Sequence, residues 1–181
     1  QYSTDNGPHY NAWPDGAISP WRSEKDTNWE GAFRVPCFAR WPGKFEAGKV
    51  LNGIVTHQEW LPTLLAAAGE PDIVEKLRHG HQAGEKSFHV HIDGYNMLPY
   101  LTGETDKCPR NWFFYVDDDG QLTAIRIGDW KIVYMEQRAK TMQLWAEPFV
   151  ELRFPKIFNL RRDPFERADE NSNTYWDWVL R

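Results

Sequence analysis

Residues 112–135 read WFFYVDDDGQLTAIRIGDWKIVYM. Three runs rich in aromatic and β-branched residues, Trp112–Val116, Leu122–Ile127 and Trp130–Met135, are separated by Asp117–Gly120 and by Gly128-Asp129. Strand formers interrupted by Asp-Gly and Gly-Asp predict an antiparallel meander with tight turns. Lys156–Leu160 is a candidate fourth strand, and Asp163-Pro164 opens a helical C-terminal segment. Asp117-Asp118-Asp119-Gly120 has the acidity of a calcium loop but lacks spaced ligands and a distant glutamate, so a solvated hairpin turn is expected there.

Upstream the pattern changes. Leu61, Leu64, Leu65 and Ala68 recur at helical spacing. Pro62 belongs in the first turn of that helix, where its missing N–H costs nothing, and Gly69 ends it. Arg34–Trp41, closed by Pro42-Gly43, reads as a strand, and Gly53-Ile54-Val55 as a second. Residues 70–94 are polar and His-rich, a loop or short helix, and Met97–Leu101 is a short helical turn. Mixed helices and strands up to about residue 105, then a sheet, predict two domains: 1–105, the end of an α/β domain, and 106–181, an antiparallel-sheet subdomain.

The chain has 181 residues, 41% of them hydrophobic and 26% charged, with a net charge of −5. That balance argues against a nucleic-acid partner, and no apolar run is long enough for a transmembrane helix. Its 10 tryptophans are expected mainly in the core or lining a cleft. Gln1–Thr4 reads as the end of a strand and Trp178–Arg181 as the middle of a helix, so the chain is expected to be a piece of a longer protein. Cys37 and Cys108 leave pairing and compartment open.

Residues 1–35 are dense in turn formers: Asn6-Gly7-Pro8, Trp13-Pro14-Asp15-Gly16, Ser19-Pro20 and Glu30-Gly31. Long irregular stretches of this kind usually carry function. Asp5-Asn6 offers a carboxylate and a carboxamide, two hard oxygen ligands for calcium or magnesium. Gly7-Pro8 breaks the extended chain, which lets two adjacent side chains turn toward one ion. Lys25 is a compact positive charge able to bind a tetrahedral oxyanion. Each feature alone is weak, since Asp-Asn-Gly is commonly a turn and most lysines are solvated. His79, His81, His89 and His91 are read as loop histidines rather than a transition-metal site.

Taken in order, Asp5-Asn6-Gly7-Pro8, Trp13-Pro14-Asp15-Gly16, Lys25, Trp29-Glu30-Gly31, Arg34-Val35-Pro36 and Arg40-Trp41-Pro42-Gly43 closely resemble the type I sulfatase (arylsulfatase) family. Leu61-Pro62-Thr63-Leu64-Leu65, Asp93-Gly94-Tyr95-Asn96, Pro99–Gly103, Arg126–Lys131, Phe158-Asn159-Leu160 and Asp163-Pro164-Phe165-Glu166 continue the match over nearly the whole chain. The resemblance implies the C-terminal part of an alkaline-phosphatase-like α/β sandwich plus a small four-stranded antiparallel sheet with a helix. It implies a sulfuric ester hydrolase, with Asp5 and Asn6 as divalent-metal ligands, usually for calcium, and Lys25 as the catalytic and substrate-binding contact to the sulfate group. His9 falls where the family varies and carries no assigned role.

The family's nucleophile is a formylglycine made from Cys or Ser in a Cys-x-Pro/Ala-x-Arg motif. Cys37-Phe38-Ala39 begins like it, but Arg40 stands one position early and Trp41 occupies the arginine position. Cys37 is therefore read as a buried structural cysteine, and the formylglycine and remaining metal ligands are expected upstream, leaving this piece inactive alone. The expected partner is a small-molecule or glycan sulfate ester; the compartment stays open, with a periplasmic or extracellular setting compatible. Two rivals are kept: a phosphate or phosphonate ester hydrolase of the same superfamily, and a non-catalytic Trp-rich ligand-binding module.

Overall fold

The computed structural model describes residues 1–12 and 19–181, so the turn expected at Trp13-Pro14-Asp15-Gly16 lies outside the described residues. In chain order the elements are β1 (Tyr2–Ser3), α1 (Glu30–Phe33), β2 (Cys37–Phe38), α2 (Trp60–Ala67), α3 (Ile73–His79), β3 (His81–Ala83), β4 (Lys86–Phe88) and α4 (Leu98–Thr102). They continue with β5 (Trp112–Val116), β6 (Leu122–Ile127), β7 (Trp130–Glu136), β8 (Val150–Asn159), α5 (Ala168–Asn171) and α6 (Tyr175–Leu180). Two compact units result, one of Gln1–Ala39 with Trp112–Arg181, the other of Arg40–Asn111.

The first unit is built on the antiparallel sheet β5-β6-β7-β8. Asp117 Oδ1 accepts the N–H groups of Asp119 (3.1 Å) and Gln121 (2.8 Å), which shapes the β5–β6 turn as a solvated hairpin. Gly128, at φ +57°, sits in the two-residue link between the paired Ile127 and Trp130, where the tight turn needs a left-handed residue. The fourth strand starts at Val150, six residues before the expected Lys156. Its pairing with β7 slips between Val133 and Met135. Pro155, which has no N–H to give, falls in that gap. Polar side chains and the proline disguised the strand's first half.

Residues of alternating phase on this sheet, Tyr115, Ala124, Val133 and Phe158, bury together with Trp29, Leu160 and Tyr175. Each large apolar side chain so buried contributes roughly 1.5–3 kcal/mol. Trp29 meets Phe158 edge-on at 5.8 Å, which fixes the irregular N-terminal segment to the sheet. The Tyr175 hydroxyl accepts from Ile157 N (2.8 Å) and donates to Ile157 O (3.0 Å), satisfying both backbone groups of one residue of β8. Burial pushes that hydroxyl's pKa up to about 12.

Of the expected strand Arg34–Trp41, Cys37–Phe38 forms, paired with Tyr2–Ser3. Prolines at 36 and 42 remove donors on either side. Cys37 is exposed, not the buried structural cysteine expected, because it lies on a two-residue pairing with both positions open to solvent.

In the second unit α2 begins where expected, behind a capping box in which the Thr56 side chain accepts Gln58 N and the Glu59 carboxylate accepts Thr56 N. Glu59 is also buried against the guanidinium of Arg110, whose Nε donates at 2.7 Å. Pro62 does lie in the first turn and Gly69 follows the helix at φ +104°. The buried residues of α2 are Pro62, Thr63 and Ala66, while Leu61 and Leu64 of the apolar spacing are exposed. Gly53-Ile54-Val55 forms no strand; Gly53 N donates to the Tyr100 hydroxyl and Ile54 O accepts from the Cys108 thiol, whose pKa burial raises. The polar stretch 70–94 holds α3 and the β3–β4 hairpin, which turns at Gly84 (φ +61°).

Candidate functional site

The segment Asp5-Asn6-Gly7-Pro8 leaves β1 and runs against the loop 22–32. Gly7 N donates to Ala32 O (2.7 Å), Lys25 N to Pro8 O (2.9 Å), and Gly31 N to Arg22 O (2.7 Å). The approach leaves no room for a side chain at either glycine. A Cβ on Gly7 would lie 1.8 Å from Gly31 O, and one on Gly31 would lie 2.1 Å from Ser23 O. Replacing Gly31 by Ala is therefore expected to destabilise the unit by about 1–3 kcal/mol, the cost typical of overpacking. A thermal melt of the intact Gly31→Ala protein checks this; an unchanged midpoint would mean that the backbones do not pack this closely.

Asp5 is exposed and Asn6 half-buried. Asp5 Oδ1 accepts Asn6 N (3.0 Å), and Asn6 Nδ2 donates to Gly7 O (2.9 Å), so the carbonyl Oδ1 is the end of Asn6 suited to a cation. Two hard oxygens fit a calcium-like ion in kind, but it takes six to eight. Among the described residues no three His, Cys, Asp or Glu side chains gather as a metal group. The pair could therefore supply only part of a coordination shell.

Lys25 is half-buried and sits among strained neighbours: Ser23 at φ +63° and Asp26 at φ +64°. Left-handed non-glycine residues cost about 1–3 kcal/mol each and persist where the surroundings over-determine them. Here Thr27 Oγ1 donates to Glu24 O (2.7 Å), and the buried Glu24 carboxylate accepts Tyr10 N (2.7 Å) and Thr141 N (2.9 Å). His9 Nδ1 accepts Asn11 N (3.2 Å), which puts the proton of a neutral ring on Nε2, 4.0 Å from Glu24 Oε2. The Lys25 ammonium lies 5.3 Å from the centre of the Trp145 ring, and the His9 ring lies 6.4 Å from the same indole. Asp26 has its carboxyl pKa raised by burial and by Asp118 and Glu24, against the opposing charges of Lys25 and His9.

Beneath this loop is a buried charge cluster. Lys131 Nζ donates to Asn28 O (2.7 Å) and pairs with Glu166 (2.7 Å) and Glu30 (3.4 Å), while Glu30 N donates to Glu166 Oε2 (2.8 Å). The Tyr115 hydroxyl donates to Glu30, and Arg34 and Arg126 lie beside the same carboxylate. Burial raises the Glu30 pKa, but Lys131, the Tyr115 hydroxyl and the two arginines outweigh it and hold the pKa below the usual range. Glu166 goes the other way: burial, with the charge of Glu30, raises its pKa despite Lys131. Tyr115 is pushed well above the usual phenol range by burial and by Glu30.

The structure thus ties the backbone of Lys25 to the segment carrying Asp5 and Asn6. It adds Glu24, Asp26, Trp145 and the Lys131 cluster, to which sequence reading gave no role. One signal was available for Lys131: it shares the inward phase of β7 with Val133, so a charge there needed buried partners. Of the four histidines expected in loops, His79 ends α3 and His81 opens β3, while His89 and His91 lie outside helices and strands; His91 pairs with Asp93 at 3.0 Å, and His79 lies 3.8 Å from Glu75. Among the described residues no helix is long and apolar enough to cross a membrane.

Residues 1–70 match the Sulfatase family model. Arylsulfatase A of Homo sapiens is 29% identical over 177 residues, an alignment covering 91% of this chain and 32% of the relative. N-acetylgalactosamine-6-sulfatase of Canis lupus familiaris is 26% identical over 192 residues, covering 92% and 32%. Among solved structures, the PsFucS1 sulfatase from Pseudoalteromonas sp. superposes with a TM-score of 0.71 at 27% identity, covering 97% of this chain and 33% of that one. The chain spans about a third of the length of the relatives it matches.

Proposed function

We propose, from the chain's similarity to the sulfatases in sequence and in fold, that the intact protein hydrolyses sulfate esters. In this reading Asp5 and Asn6 contribute two oxygens to a calcium-like ion and Lys25 contacts the sulfuryl oxygens. In the same reading residues 1–105 would belong to an alkaline-phosphatase-like sandwich and 106–181 to its antiparallel-sheet subdomain, although residues 1–39 pack in one unit with the sheet. The observation that best supports the reading is the hydrogen bond from Lys25 N to Pro8 O (2.9 Å), which ties the backbone at Lys25 to the segment that carries Asp5 and Asn6.

A divalent metal and a formylglycine, general features of the family, would supply Lewis acidity and the nucleophile. The formylglycine and the rest of the metal shell are assigned to residues outside this chain, so the 181-residue piece alone is expected to be inactive. The chain's own part is electrostatic. Lys25, whose backbone is tied to Pro8, would neutralise charge on the sulfuryl oxygens as the alcohol departs. Asp5 and Asn6 would help to hold the ion and would move no proton.

The test is release of sulfate from an aryl sulfate, and of phosphate from the matching aryl phosphate, by the intact protein. Sulfate release is expected to dominate, and Lys25→Ala to lower it about 10²–10³-fold, as removal of one prepared electrostatic contact does. Dominant phosphate release would transfer the assignment to the phosphate-ester rival. Binding without turnover, unaffected by chelation, would favour a Trp-rich binding module.

A further inference from the structure

Trp145 ends a 3-10 turn, Thr141–Trp145, more than a hundred residues from Lys25 in sequence, yet its ring centre is 5.3 Å from the Lys25 ammonium. Three observations separate it from a surface tryptophan that merely shields a lysine.

The first is exposure. Trp145 is 59% exposed, although an indole gains by burial. The second is rigidity. The turn is pinned at its start by Thr141 N donating to the buried Glu24 carboxylate (2.9 Å), and just beyond its end by Gln137 Nε2 donating to Glu147 O (2.6 Å). Thr141 is held at φ +56°, a conformation β-branched residues rarely adopt, so the turn's placement is over-determined by its surroundings. The third is that one side chain sets both turns. Glu24, which fixes Thr141, also fixes Tyr10 and so the turn carrying His9, whose ring faces the same indole at 6.4 Å. A buried carboxylate therefore holds an open aromatic surface at a set distance from the lysine.

We propose that Trp145 is a specificity residue: its indole seats the ring of the alcohol half of a sulfate ester, sugar or aryl, beside Lys25. The inference rests on the sulfate-contacting role of Lys25 given above. With a sulfuryl oxygen at about 2.8 Å from the ammonium, an ester directed toward Trp145 has its nearest carbons within van der Waals reach of an indole centred 5.3 Å from that ammonium. Sugars and aryl groups share the flat C–H or π surface that stacks on an indole; a short alkyl chain does not.

The experiment uses the intact protein with three substrates, an aryl sulfate, a sulfated monosaccharide and propyl sulfate, and the variants Trp145→Ala and Trp145→Phe. Trp145→Ala is expected to raise KM about tenfold for a ring-bearing ester and to raise it several-fold less for propyl sulfate. Trp145→Phe should retain most of the lost affinity. The two ring substrates separate the sources: a tenfold effect on one alone assigns the seat to that ring. Equal losses on all three substrates would make Trp145 a structural support of Lys25, and no loss on any would leave the indole without a ligand; either overturns the proposal while leaving sulfate ester hydrolysis standing. A wild-type protein inert on all three overturns both readings.

Discussion

Replacing Asp5 by Ala in the intact protein is expected to lower sulfate ester turnover by about 10³-fold or more, with little change in thermal stability. The first half follows from the proposed role, because a carboxylate ligand removed from a divalent ion weakens both the ion's hold and its Lewis acidity, worth several kcal/mol at the reacting centre. The second half follows from the structure. Asp5 is exposed, and among the described residues its carboxylate accepts from the neighbouring Asn6 N. The backbone interlock runs through Gly7 and Pro8 instead. Turnover, bound metal and melting temperature measured on one preparation separate these halves. Asp5→Asn, which keeps an oxygen ligand without its charge, should fall between wild type and Asp5→Ala. Unchanged turnover with Asp5→Ala would remove Asp5 from the site.

Lys131→Met is expected to have the opposite profile, a loss of stability of about 3–5 kcal/mol, the cost of breaking a buried ion pair from one side. For a unit of this size that is a fall of roughly 13–22 °C in melting temperature. Lys131 is fully buried, and its ammonium stands between Glu30 and Glu166. Without it two carboxylates face each other out of water. Glu30 keeps Arg34, Arg126 and the Tyr115 hydroxyl, so Glu166 is the group that takes a proton. The pH dependence follows from the raised pKa of Glu166. A carboxyl that holds its proton more tightly folded than unfolded favours the folded state once protonated. That contribution is complete below the ordinary glutamate range and is lost as pH rises through the folded pKa. The Lys131→Met protein should therefore regain part of its stability on mild acidification, and Glu166→Gln added to it should remove that response. A flat pH profile, or a melting temperature within a degree of wild type, would mean that the charges are not coupled as described.

These long-range arrangements set the limit of what the sequence disclosed. The meander was legible because alternation and turn chemistry are local: Trp112–Val116 and Leu122–Ile127 have the predicted bounds, and Asp117–Gly120 and Gly128 turn the chain where they should. The start of β8 was not, because Pro155 and the polar residues before it look unlike a strand until β7 is beside them. Cys37 was misread because a short apolar run does not say whether its pairing partner is a central strand or two exposed residues. Asp5, Asn6 and Lys25 were singled out by family resemblance together with their chemistry, whereas Glu24 and Trp145 gave no sign in the sequence. A carboxylate bonded to backbone 117 residues away, at Thr141, has no pattern to be read.

The bond from Glu30 N to the Glu166 carboxylate also has a consequence in time. During synthesis the loop bearing Lys25 leaves the ribosome 136 residues before the side chain that secures its end. At about 5–20 residues per second that is a delay on the order of 10 s, and for most of it Glu30 has neither Lys131 nor Glu166 to meet. The loop can reach its final form only after the last strand of the sheet has been made, so a stalled or shortened chain would carry the residues of the candidate site without their arrangement.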